Sequence, residues 1–197
     1  MMRAFWPLFL FAIAVVAAGL QLDRQSRISP DWSGLVPPPF RSFSQSQITA
    51  DALPQGTPAQ AVHEAERLVR LRPMEAAHLR MLAQAQFVAN QEGVGVQTLQ
   101  IAGRLGWRDM ATQHAMLRLA LAAGDDAEAT RRLAAIWALS DDRAEIAPIA
   151  TAVLTRKTAQ VEFVRLLKVE PRWRAKIIRE APLILPPHLA QAISPDQ

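Results

Sequence analysis

The feature that most constrains this chain is an uninterrupted apolar run over residues 5–22, FWPLFLFAIAVVAAGLQL, which carries no charge and one polar side chain, Gln21. As a helix it would measure about 27 Å, close to the roughly 30 Å hydrocarbon core of a bilayer. Arg3 precedes it, and Asp23, Arg24 and Arg27 follow. Two fates compete. A secretory signal has a basic start, a short apolar core and small residues before the cut, and Val16-Ala17-Ala18 ahead of Gly19 supplies such a site. A signal anchor keeps the whole segment as a spanning helix, and the extension of the run through Leu20 and Leu22 favours this fate. Arg3 with the terminal amine is matched by Arg24 and Arg27 across the segment, so charge does not fix orientation. In either case the bulk of the chain is expected outside the cytoplasm: a single-pass inner-membrane protein with a periplasmic domain or, after cleavage near Ala18, a periplasmic one.

The remaining composition is that of an all-α protein. Ala, Leu, Arg, Glu and Gln dominate, Tyr is absent, and no alternating β-branched runs occur. No cysteine is present, so no disulfide or thiolate metal site is available. The formal charge of +4 is spread along the chain and rests mainly on arginine, lysine occurring only at 157, 168 and 176. Without a dense basic cluster interleaved with aromatics, a solvated helical surface near anionic lipid is expected rather than a nucleic-acid partner.

Residues 24–56 hold turn formers and the triple proline Pro37-Pro38-Pro39, and they predict an extended linker reaching up to roughly 90 Å. Trp32, Phe40 and Phe43 leave open a second reading, in which these rings dock on the domain or on a partner. From Thr57 the pattern turns helical. Thr57-Pro58-Ala59-Gln60 combines an N-cap, a first-position proline and a capping-box glutamine. Val62, Ala65, Leu68, Val69 and Leu71 then form an apolar stripe ending at Pro73. Further helices are predicted around 76–87, 96–105, 111–121, 126–137, 146–154, 159–169 and 173–179, with a turn over 90–95. The helical domain is expected over 57–181, followed by an irregular proline-rich tail, 182–197.

Apolar and small residues recur at a step of 34: Leu68, Ala102 and Ile136; Ala65, Leu99 and Leu133; Ala61, Gly95 and Ala129. With Leu79, Leu82 and Ala83 and with Gly124-Asp125 before Ala129, this resembles the tetratricopeptide repeat family over about residues 57–139. Gln86 departs from its aromatic position and Trp107 from its usual proline, and the first repeat lacks its own first helix. The resemblance implies a TPR-like α-solenoid of helix hairpins that binds protein partners. A narrower set, residues 105–113 (LGWRDMATQ) with Pro171-Arg172-Trp173-Arg174, resembles short anchored repeat proteins of proteobacteria linked with polysaccharide export. Those are accessory or scaffold proteins; cytochrome maturation and division machinery are the alternative envelope settings.

Enzymatic constellations are not found. His63, His78, His114 and His188 have no metal-ligand spacing, and no nucleophile elbow or phosphate loop occurs. Asp125-Asp126 and Asp141-Asp142 stand at helix starts, where carboxylates cap free amides. Trp107, Trp137 and Trp173 read as packing anchors, with a ligand groove as the sharper alternative. No catalytic residue, cofactor or metal is expected, and the oligomeric state is open. The first helix of each pair lines the concave side of a solenoid. That implicates Glu75, His78, Gln86, Gln113, His114 and Arg118 in partner binding.

Overall fold

The computed structural model describes residues 2–169 and 171–194, with the side chains of residues 6–169 and 173–194. All regular structure among them is helical. The chain divides into two compact units, Met1–Thr98 and Leu99–Gln197, rather than a linker followed by one domain.

In the first unit, α1 (Met2–Ser26) is long and apolar enough to cross a membrane over Trp6–Ser26. Residues 24–56 correct the extended-linker expectation. Pro30–Leu35 and Pro38–Phe40 form short 3-10 helices, and Ser44–Gln55 forms α2. Val36 is fully buried, as are Ser44, Gln45 and Thr49. The proline content is compatible with this because Pro30 and Pro38 start their 3-10 turns, where no N–H is needed. Of the three aromatic side chains in the segment, two dock within the unit. The Phe40 ring lies where a Cβ on Gly19 would come within 2.6 Å of it. Phe43 carries the Arg72 guanidinium 4.6 Å above its ring and that of Arg27 at 5.6 Å. Trp32 stays 46% exposed.

α2 packs on α3 (Pro58–Leu71) and thereby supplies a helix ahead of the first predicted one. The joint between them is polar. Gln45 donates through Nε2 to the Glu64 carboxylate at 2.7 Å, and the Thr49 hydroxyl donates to the Glu64 carbonyl at 3.1 Å. Thr57 caps α3 by accepting from the Gln60 amide. α4 (Ala76–Val88) packs against α3 over Ala61, Ala65 and Ala85. Such small side chains let helix axes approach closely.

The expected turn over 90–95 is shorter than predicted. Asn90 takes a left-handed φ of 57°, and α5 (Glu92–Leu105) begins two residues later. Helices α3, α5 and α7 (Asp126–Leu139) start 34 residues apart, at Pro58, Glu92 and Asp126. The positions recognised at that step are buried throughout.

The second unit contains α6 (Met110–Ala123), α7, α8 (Arg143–Leu154), α9 (Lys157–Val169), α10 (Pro171–Ile184) and α11 (Pro187–Ala192). Asp109, Asp125 and Asp142 cap α6, α7 and α8, each accepting from a backbone amide two or three residues on. Gly124, at φ +69°, ends α6 in the left-handed region that favours glycine. The core is built on Leu133, Ile136, Trp137, Ile146, Leu154, Phe163, Leu167 and Ile177, all fully buried. The irregular tail is also corrected. α10 continues through Pro182, α11 follows, and Leu185, Leu189 and Ile193 join the core. Residues 195–197 lie outside the described residues.

Candidate binding cleft in the second unit

Trp107 occupies the α5–α6 connection and stands 48% exposed. Arg108 covers one face of its ring, the guanidinium carbon lying 4.9 Å from the centroid. Trp107, Gln113 of α6, Arg131, Arg132 and Ala135 of α7, Leu166 of α9 and Trp173 of α10 line a cleft of about 460 Å³. That volume falls in the range of small-ligand and peptide side-chain pockets. Trp137 takes no part in it. That ring is fully buried and stacked on Phe163 at 6.3 Å, and its indole N–H donates to Glu180.

The polar base of the cleft is rigid. Arg132 donates to Glu128 at 2.6 Å, to the Gly103 carbonyl at 3.1 Å and to the Gln113 side chain at 3.0 Å. Gln113 in turn donates to the Gly106 carbonyl at 3.0 Å. These bonds tie α7 to α6 and hold the α5–α6 connection that carries Trp107. Arg131 behaves differently. Its side chain is 61% exposed and makes an i,i+3 pair with Glu128 at 3.2 Å, a contact of the kind that contributes little in water. Arg131 can therefore turn to a ligand carboxylate at small cost, in a cleft that Trp107 and Trp173 also line.

The residues expected to bind partners fare unequally. In the first unit Glu75 is exposed, whereas His78 and Gln86 are buried at 8% and 7% and offer no open surface. Burial holds the His78 imidazole below its ordinary pKa and the nearby Arg72 charge adds to this, outweighing the Arg72 carbonyl and Glu75. The Oε1 atom of Gln86 has no hydrogen-bond partner among the described residues. In the second unit Arg118 is exposed, while Gln113, only 1% exposed, braces the cleft from beneath. His114 is joined to Glu145 at 2.9 Å, and Glu145 also accepts from Ser140. Helical phase alone missed Arg131, because that residue lies on the second helix of its pair. The tryptophans flanking the repeat pattern were the available signal.

The acidic pairs do structural work. Asp125 and Asp142 are the caps, Asp126 meets Arg156 at 2.8 Å and accepts from Thr158, and Asp141 meets Lys176 at 2.8 Å. Among the described residues no three His, Asp or Glu side chains gather into a metal-binding group. No family model matches the chain, and comparisons with curated proteins and with solved structures found no significant match.

Proposed function

We propose that the chain is a non-enzymatic, membrane-anchored adaptor of a bacterial envelope assembly, with a TPR-like helical repeat presented on the periplasmic side to hold partner proteins. The observation that carries this reading is the cleft between Trp107 and Trp173 with Arg131 at its edge. Trp and Arg are the side chains that most often dominate protein interfaces, and a firm apolar cleft with one adjustable cation suits an acidic, apolar peptide segment. Helix starts repeated at 34 residues support the repeat assignment. Synthesis or export of surface polysaccharide is the setting favoured by the resemblance of residues 105–113 and 171–174.

Retention of α1 is favoured over cleavage near Ala18. The bond after Ala18 lies inside a continuous helix, and the next residue, Gly19, is covered by Phe40.

Crosslinking in intact cells, detergent extraction and capture through a C-terminal tag test the proposal. Stoichiometric envelope proteins should co-purify, and Trp107→Ala with Arg131→Glu should deplete them. Recovery of the protein alone would sink the adaptor reading. Partners retained by the double variant would sink the cleft. Alkaline carbonate treatment should leave the chain in the membrane fraction, and its release would establish the cleaved form.

A further inference from the structure

We propose that residues 28–40 form an apolar collar seated in the lipid headgroup layer around the end of α1, fixing the first unit directly on the bilayer surface. The inference rests on the reading of α1 as a membrane helix and adds a second, non-spanning lipid contact to it.

The argument begins with depth. Gly19 belongs to the apolar run, four residues before Asp23, and a helix rises about 1.5 Å per residue. A ring packed on Gly19 therefore stands about 6 Å further into the apolar segment than the first charged residue beyond it. Phe40 is that ring. The segment leaving α1 thus folds back alongside the last turns of the apolar helix. If those turns lie in lipid, so does part of this segment.

Asp23 holds the arrangement in place. It is 3% exposed and accepts from the backbone amides of Ser42, Phe43 and Ser44 at 3.0, 3.1 and 3.0 Å and from the Ser44 hydroxyl at 2.7 Å. One carboxylate thereby joins the last turns of α1 to the N-terminus of α2, where amides point outward unpaired. Ser26 closes the same turn by donating to the Asp23 carbonyl. The Arg41 guanidinium donates to the Val36 carbonyl at 2.8 Å, and Arg67 on α3 donates to that of Pro38 at 2.8 Å.

With the backbone so fixed, three large apolar side chains face outward, with Asp31 the one exposed charge among residues 28–40. Ile28 is 76% exposed, Leu35 68% and Trp32 46%. Leu35 ends the 3-10 turn that carries Trp32, Ile28 lies two residues ahead of that turn, and the turn packs on α1. Tryptophan is enriched where an apolar ring meets the headgroups, and the exposed Arg24 and Arg27 stand beside the patch to meet anionic lipid. Continuity with the membrane helix makes lipid the occupant of this surface.

The absence of cysteine makes the test direct. Ile28→Cys, Trp32→Cys and Leu35→Cys are made singly in the full chain, nitroxide-labelled and reconstituted in phosphatidylethanolamine–phosphatidylglycerol vesicles. Relaxation by oxygen, which concentrates in lipid, is compared with relaxation by a water-soluble nickel chelate. Ala14→Cys in α1 and Met74→Cys, at a position 73% exposed in the first unit, give the two references. The collar labels should show an oxygen-to-nickel ratio several-fold above Met74→Cys. Water-like ratios at the collar with a lipid-like Ala14→Cys would overturn the collar and leave the membrane helix standing, as for a surface reserved for a protein. A water-like Ala14→Cys would overturn both.

Discussion

The indole nitrogen of Trp137 lies 3.0 Å from a carboxylate oxygen of Glu180, 43 residues further along the chain, and both side chains are buried. The bond fixes α7 against α10 in the middle of the larger core. An indole left without its acceptor, or a buried carboxylate without its donor, bears the full cost of desolvation.

Trp137→Phe keeps the ring stacked on Phe163 but strips Glu180 of its donor. It is expected to lower stability by about 1–3 kcal/mol. Trp137→Ala should cost about 3–5 kcal/mol, because it also opens a cavity. Urea denaturation of the detergent-solubilised chain measures both. Wild-type stability of Trp137→Phe, with the loss confined to Trp137→Ala, would show that the hydrogen bond contributes nothing.

Asp23→Asn can keep an oxygen toward the Ser42 and Ser44 amides but then sets an amide nitrogen against that of Phe43, and it removes the charge. A loss of about 2 kcal/mol is expected, since bonds to a charged acceptor are the stronger kind. Limited proteolysis should then cut within residues 27–43, which the native chain protects. A wild-type cleavage pattern would count against Asp23 as the fastener.

Gly19→Ala would ordinarily favour a helix by about 1 kcal/mol. Here the added methyl must displace Phe40, so the substitution should destabilise the native chain. In a Phe40→Ala background the sign should reverse. A double-mutant cycle by thermal unfolding reads the coupling, and additivity would refute the packing.

His78 predicts a pH response. Its folded pKa is depressed, so the unfolded chain takes up a proton near the ordinary value of 6.5 while the folded chain resists it. The His78 contribution is thus complete above about pH 6.5 and is lost as pH falls below it. The urea midpoint should drop more on acidification in the native chain than in His78→Asn. Identical pH profiles would remove His78 as the cause.

The legible part of this fold was the periodic part. Leu68, Ala102 and Ile136 announced the 34-residue step, and Asp125 and Asp142 announced two of the caps, because both signals are local. Residues 24–56 were illegible for the opposite reason. Ser44–Gln55 offers little apolar stripe, and it is fastened instead by Asp23, a partner nineteen to twenty-one residues away that no local pattern records. The tail misled through Pro182, which lies inside the last turn of α10 without ending it, and Pro187, which starts α11, where no N–H is needed. In the cleft, Gln113 had the right helical phase for a surface position, but Arg132, reaching from the neighbouring helix, drew it under cover.

The junction at Asp23 also changes what an insertion does. A flexible tether absorbs extra residues without consequence. α1 instead enters the first unit as an unbroken rod, so each residue added between Gly19 and Asp23 would turn everything beyond it by about 100° and shift it by about 1.5 Å. Spacing there acts as a phase, setting which face the rest of the first unit presents around the axis of α1.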